Sequence, residues 1–174
     1  CRSCLSGNVI GCETSAGGCY GLSAKLQGVQ AEAFRVPAAD ANAVKIPEGI
    51  SRDQALMMTD ALATAWFGAR NADIRPGSSV AVIGLGPIGL MAVDSAFVMG
   101  AGVVFAIDPI AERRALATQS GAIALSPDEA LEHIREATHG RKVDCVIEAV
   151  GHDATVDLAL RLVTRRGTVS VIGV

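Results

Sequence analysis

The chain has 174 residues, 15 Lys+Arg against 18 Asp+Glu, and a half-hydrophobic composition with only six aromatics, four Phe, one Tyr and one Trp. That length buries roughly 70% of the unfolded surface, which excludes whole-chain disorder and sets one domain, or one and a fraction, as the expectation. A net charge of −3 without a basic block gives no footprint for nucleic acid, and so few aromatics give no stacking platform for single strands.

The first 22 residues, CRSCLSGNVIGCETSAGGCYGL, carry four of the five cysteines and no hydrophobic period, so they need a clamp other than a core. Two extended segments, Val29 to Val36 and Ala43 to Ile46, follow and are separated by Pro37-Ala-Ala-Asp-Ala; Pro47-Glu-Gly marks a turn. Ser51-Arg-Asp-Gln54 has capping-box spacing and opens a helix carrying Ala55 to Met58. A second helix spans about 61–72, and Arg75-Pro-Gly-Ser78 is a turn near which the domain boundary is placed, between 1–73 and 74–174.

Beyond it the pattern repeats. Apolar runs at 79–83, 103–107, 122–125, 143–149 and 168–173 alternate with helix-length segments at about 87–100, 110–119, 128–138 and 153–164. Short β-branched runs alternating with helices imply βαβ units, hence an α/β fold with a doubly wound parallel sheet of five strands. The apolar stretch over 80–107 would attract a membrane reading, but its glycines and Pro87 divide it into strand, helix and strand, which are hydrophobic throughout because both sheet faces are covered. No membrane partner is expected.

Val80-Ala-Val-Ile-Gly84-Leu-Gly86-Pro-Ile-Gly89 holds G-x-G-x-x-G between a strand and a helix, and an acid, Asp108, ends the next strand 19 residues after Gly89. This context makes a weak motif a strong one for dinucleotide binding. Gly84 permits the turn, Gly86 lets backbone approach a pyrophosphate, and Gly89 allows close packing. Pro87 and Ile88 open the helix whose unsatisfied N–H groups receive the phosphate charge. Asp108 can accept from both ribose hydroxyls and would repel a 2′-phosphate, which favours NAD over NADP; Arg113 and Arg114, a turn into the next helix, could offset that repulsion. The bland alternatives are a close strand-to-helix turn for the glycines and a helix-start Asp-Pro for Asp108.

Cys1-x2-Cys4-x7-Cys12, with Cys19 seven residues later, reads as zinc ligation in a chain with a cofactor fold, the fourth ligand being Cys19 or a residue before Cys1, and as disulfides in a secreted one. Cys145 lies alone in an apolar run and reads as inert core. His133, His139 and His152 show no ligand spacing and read as solvated. Nothing at the start has the layout of a signal peptide, which points to a cytoplasmic protein. The start at Cys1 and the stop at Val174 within an apolar run suggest a piece of a longer polypeptide.

In these motifs the sequence resembles the zinc-dependent alcohol dehydrogenases of the medium-chain dehydrogenase/reductase superfamily. The family's structural-zinc lobe has the pattern C-x2-C-x2-C-x7-C, and Cys1, Cys4 and Cys12 match its last three cysteines, so by that match Cys19 is not a ligand. The likeness continues through Gly28-Val-Gln-Ala-Glu-Ala-Phe-Arg-Val-Pro37, Ile46-Pro-Glu-Gly49, the glycine fingerprint, Glu148-Ala-Val-Gly151 and Val171-Ile-Gly-Val174. It implies part of a β-rich catalytic domain ahead of the parallel sheet, hydride transfer between a zinc-held alcohol, or its aldehyde or ketone, and NAD, and a homo-oligomer when full length.

Met57-Met-Thr-Asp60 matches a segment of the secondary-alcohol and formaldehyde dehydrogenase branch, where the acid is a ligand of the catalytic zinc. From the residues alone Asp60 reads first as an N-cap for the helix at Ala61, a role compatible with ligation. By the same resemblance Thr64 lies near the nicotinamide, Val150 belongs to a cofactor-contacting loop, and Ile172 and Val174 hold the carboxamide by their backbone; for the side chains, plain core packing is the alternative. The segment Ala63-Thr-Ala-Trp-Phe67 departs from the family, which commonly has His where Phe67 stands, and the substrate stays open. Two other readings stand beside it: a zinc-free quinone or enone reductase of the same superfamily, and a non-catalytic NAD-binding module. The isolated polypeptide is expected to be inactive.

Overall fold

A computed structural model describes residues 2–7, 18–22 and 26–174. The chain divides into two compact units, Cys1–Pro47 and Glu48–Val174. In the first, the described residues form two single-turn helices, α1 (Arg2–Leu5) and α2 (Ala39–Asn42). The Tyr20 hydroxyl donates to the Arg35 carbonyl at 3.3 Å, and its ring meets Phe34 edge-on with centroids 6.1 Å apart. The extended segments expected at Val29–Val36 and Ala43–Ile46 are not strands. Extended backbone becomes sheet only through a ladder partner, and none of the described residues pairs with them.

The second unit begins with helices α3 (Arg52–Thr59) and α4 (Ala61–Asn71), then alternates strand and helix: β1 (Ser79–Ile83), α5 (Pro87–Val98), β2 (Val103–Ile107), α6 (Ala111–Gln119), β3 (Ile123–Leu125), α7 (Pro127–Ala137), β4 (Val143–Glu148), α8 (Asp153–Leu162) and β5 (Val163–Val171). Local signals set the boundaries. Ser51 and Gln54 exchange both bonds of a capping box, as do Ser126 and Glu129 at the start of α7. At the end of α5, Gly100 has φ +98°, and the Ala101 N–H returns to the Ala96 carbonyl at 3.0 Å, a glycine-terminated helix end. Helices α3 and α4 share a compact unit with the sheet.

The five strands are parallel in the order β3-β2-β1-β4-β5. Two-residue periodicity divides the core. Val80, Val82, Val104, Ala106 and Ile147 face one layer with Ala65, Ala69, Ala92 and Ala96 of α4 and α5. Ala81, Ile83, Phe105, Ile107 and Val146 face the other with Ala130, Ile134, Ala159 and Leu162 of α7 and α8. Each fully buried large side chain here contributes about 1.5–3 kcal/mol. The apolar stretch over 80–107 is thus β1, α5 and β2, and no helix among the described residues is long and apolar enough to cross a membrane.

β5 differs from expectation in one respect. The helix before it stops at Leu162, and β5 pairs with β4 first at Val163 opposite Val143, then again from Thr168 opposite Cys145. The residues between include Arg166 at φ +66°, and a Cβ on Gly167 would meet the Asp144 carbonyl oxygen at 2.6 Å. The irregularity follows from that close approach of the two chains, and the regular ladder begins at Thr168, where the apolar alternation begins.

Candidate cofactor site at the strand ends

Register places the carboxyl ends of four strands side by side, with Ile83 opposite Ile107 and Glu148, and Glu148 opposite Val171. The ladder continues one residue further: the N–H groups of Gly84, Ala149 and Ile172 donate to the carbonyls of Ile107, Ile83 and Glu148 at 2.8, 2.9 and 2.8 Å. Strands β1 and β4 are neighbours whose connections run to opposite sides, so the crevice where open α/β sheets bind ligands lies between them.

On the β1 side the three glycines have three different steric reasons. Gly84 has φ +88°, and a Cβ there would strike the Val150 side chain. Gly89 has its Cβ direction occupied by the Gly84 carbonyl oxygen, so the first turn of α5 sits directly on the turn that precedes it. Gly86 has an ordinary φ of −68° and nothing within 4 Å of a notional Cβ. That space is the cradle a side chain would fill. Pro87 takes the first helical position, and the N–H groups of Ile88 and Gly89 belong to a helical turn without intrahelical partners.

Asp108 is only 2% exposed. Its Oδ2 accepts from the Leu85 N–H at 2.7 Å and its Oδ1 from the Ile110 N–H at 2.8 Å. The sequence places it at a strand tip but does not show that it ties the glycine loop to the end of β2. Arg113, half-exposed, lies 3.6 Å from Oδ2. Arg114 instead donates to the Asp108 and Pro109 carbonyls at 2.7 and 2.8 Å, which engages its guanidinium with backbone.

On the β4 side, the loop Ala149–Gly151 is held between the β1 turn and the end of β5. A Cβ on Gly173 would strike the Gly151 N–H and the Val150 backbone, and one on Gly151, at φ +81°, would meet the Gly173 carbonyl carbon at 2.7 Å. Val150 is 43% exposed at this rim. Ile172 donates its N–H to Glu148, and its side chain lies against Gly68 of α4, where a Cβ would come within 2.8 Å of Cδ1. Gly84, Val150, Ile172 and Val174 are thus brought to one rim.

Glu148 is the residue that sequence reasoning missed. It is fully buried, and its carboxylate accepts from the N–H groups of Val150 and Gly151 and from the Thr155 hydroxyl. The available signal was an acid closing an otherwise apolar run immediately before Ala-Val-Gly. His152, read as solvated, is exposed but caps α8: its Nδ1 accepts from the Ala154 N–H at 3.2 Å.

Asp60 occupies the N-cap position of α4 but makes no side-chain cap bond. Its Oδ1 instead accepts from the Thr64 hydroxyl at 3.0 Å, one helical turn on. An exposed carboxylate with one oxygen held in this way is a suitable oxygen donor to a metal, although the described residues bring no three His, Cys, Asp or Glu side chains together for one. Cys1 and Cys12 lie outside the described residues; Cys4 falls in α1, and its side chain also lies outside them. Cys145 is buried in β4, where burial first, and then the charge of Asp144, push its thiol up to about 11. An open hollow of about 770 Å³ between α7 and α8, lined by Leu131, Arg135 and Leu158 among others, shares no residue with the strand-end rim.

The comparisons with known proteins agree with this architecture. The zinc-binding dehydrogenase family profile matches residues 87–174. A probable zinc-binding alcohol dehydrogenase of Mycobacterium tuberculosis is 53% identical over 86% of the chain, which spans 38% of that protein. An NADP-dependent isopropanol dehydrogenase of Entamoeba histolytica is 37% identical over 78% of the chain and 38% of its own length. The structure of an alcohol dehydrogenase from Thermus sp. ATN1 superposes with a TM-score of 0.89 and 41% identity, covering all of this chain and 51% of that one. The chain therefore spans about half or less of the proteins it matches. With a parallel sheet, a glycine turn and a matching profile over half its residues, the chain belongs to the zinc-binding dehydrogenase family.

Proposed function

We propose that the complete protein is an oxidoreductase that moves a hydride between an alcohol, or its aldehyde or ketone, and NAD, and that this chain supplies the cofactor site and one ligand of a catalytic zinc. One observation carries the reading: at the carboxyl ends of β1 and β2, an open cradle at Gly86 adjoins a buried carboxylate, Asp108, that is bonded to the same loop. The cradle with the start of α5 suits a pyrophosphate. The carboxylate suits ribose hydroxyls, which would use its remaining lone pairs once the half-exposed Arg113 swings aside. Asp108 would repel a 2′-phosphate and Arg114, engaged with backbone carbonyls, is not placed to offset that, which supports NAD over NADP, while Arg113 beside Asp108 is a countering charge.

When bound, zinc supplies polarisation of the alcohol oxygen and the nicotinamide accepts the hydride. Asp60 is the zinc ligand this chain contributes, and the Thr64 hydroxyl fixes one carboxylate oxygen so that the other is free to coordinate. Val150, Ile172 and Val174 line the side of the crevice nearer β5, where the nicotinamide half of a dinucleotide anchored at Asp108 would extend. Cys1, Cys4 and Cys12 are assigned to a structural zinc. Residues 1–73 are read as part of the catalytic domain and 74–174 as the cofactor domain of a cytoplasmic homo-oligomer.

Calorimetric titration of the full-length protein with NAD and NADP tests the cofactor: NAD binding at least about tenfold tighter is expected, and tighter NADP overturns the assignment. Metal analysis tests the zinc, with two ions per subunit expected and one lost in Asp60→Ala. Unchanged metal content in that variant would remove Asp60 from the site.

A further inference from the structure

Resting on the cofactor reading above, we infer that Glu148 and Thr155 form a positioning pair that sets the nicotinamide half of the pocket without touching the cofactor. Glu148 is 0% exposed, and no cation pairs with it among the described residues. Every contact of its carboxylate is a donation into it: Oε1 from the Val150 N–H at 2.9 Å, the Gly151 N–H at 3.0 Å and the Thr155 hydroxyl at 2.7 Å, and Oε2 from the Gly151 N–H at 3.1 Å. An acceptor-only group matches three donors, whereas the amide of a glutamine would turn an N–H₂ toward one of them. The main-chain carbonyl of the same residue accepts from the Ile172 and Gly173 N–H groups at 2.8 and 3.1 Å. One residue thus fixes both the β4 loop and the end of β5.

The consequence falls on Val150. Its loop is enclosed by Gly84 on one side and Gly173 on the other, so the bonds to Val150 and Gly151 decide where the exposed Val150 stands over the crevice. The Asp108 half of the site lies across β1 and shares none of these bonds. Thr155, in the first turn of α8, closes the network, since its hydroxyl also lies 2.7 Å from the His152 carbonyl. Both acceptors lie within reach of that single proton, so the threonine bridges the carboxylate and the start of α8.

The test compares NAD with ADP-ribose, which lacks the nicotinamide, by calorimetry on the full-length protein. Glu148→Gln should weaken NAD about tenfold while leaving ADP-ribose within about twofold, the loss expected of one hydrogen bond read through the loop. Thr155→Val should weaken NAD about three- to tenfold, and Thr155→Ser should restore it. Equal losses for both ligands, or none for either, would overturn the inference. If Glu148→Gln does not fold, Thr155→Val and its serine rescue carry the same comparison. A wild-type protein that binds neither ligand overturns the cofactor reading itself, an outcome distinct from binding without discrimination.

Discussion

Two turns meet at the same rim and are built by opposite means. After β1, Gly84-Leu-Gly86-Pro-Ile-Gly89 holds its shape because side chains are missing: a Cβ at Gly84 or Gly89 meets neighbours already in place. After β4, Ala149-Val-Gly151 holds its shape because a polar side chain is present and buried beneath it. The first device leaves an open cradle at Gly86, and the second leaves a bonded floor under Val150. The first turn leaves the N–H groups of Ile88 and Gly89 unspent, while the second spends those of Val150 and Gly151 on Glu148.

The comparison can be broken most directly at Gly89. Gly89→Ala puts a methyl onto the Gly84 carbonyl oxygen and should cost at least ~3 kcal/mol by urea unfolding; an unchanged midpoint would mean that the turn and the helix are not in contact. Glu148→Ala leaves the Val150 and Gly151 N–H groups unpaired, while the Thr155 hydroxyl keeps the His152 carbonyl, a loss of about 3 kcal/mol. Hydrogen exchange should quicken at Val150 and Gly151 more than at Gly84, and uniform quickening would make the two turns one cooperative unit. Gly84→Ala, which meets a positive φ and the stiff, β-branched side chain of Val150, should cost about 2 kcal/mol.

Gly86→Ala sharpens the contrast from the other side. Its stability should change by less than about 0.5 kcal/mol, since φ is ordinary and space is open, while NAD affinity falls at least about tenfold. Loss of stability with intact binding would reverse the assignment of tasks. The smallest effect at neutral pH belongs to Cys145, whose folded thiol is pushed from the ordinary 9.0 up to about 11. Because the folded form resists ionisation, its contribution is intact below the ordinary value and is lost as pH rises from about 9 through 11. Chemical-denaturation midpoints should therefore fall over that range in the wild type and less in Cys145→Val, and thiol alkylation at pH 8 should await unfolding.

The glycine turn was legible because its signal is local. Each glycine marks a steric necessity at its own position, and the strand-turn-helix context lies within a few residues of sequence. The same holds for the capping boxes at Ser51 and Ser126, where both partners lie three residues apart. The extended segments near residues 29–36 and 43–46 were not decidable in this way, since a strand is defined by a partner that sequence periodicity does not supply. Asp60 is an intermediate case: the sequence offers a cap or a ligand, and the fold turns its oxygen to Thr64 rather than to the helix N–H groups.

The sequence by itself determined the parallel α/β alternation, the glycine fingerprint, Asp108 at the end of the second strand and the kinship these motifs carry, because all are written in the period and spacing of neighbouring residues. Only the tertiary structure decided what Asp108 and Glu148 do. Asp108 reaches back 23 residues to the Leu85 N–H, and Glu148 joins the ends of two strands whose register is fixed by the whole sheet. A buried carboxylate acquires its role from the donors that folding brings to it, and those donors have no signature in the residues beside it.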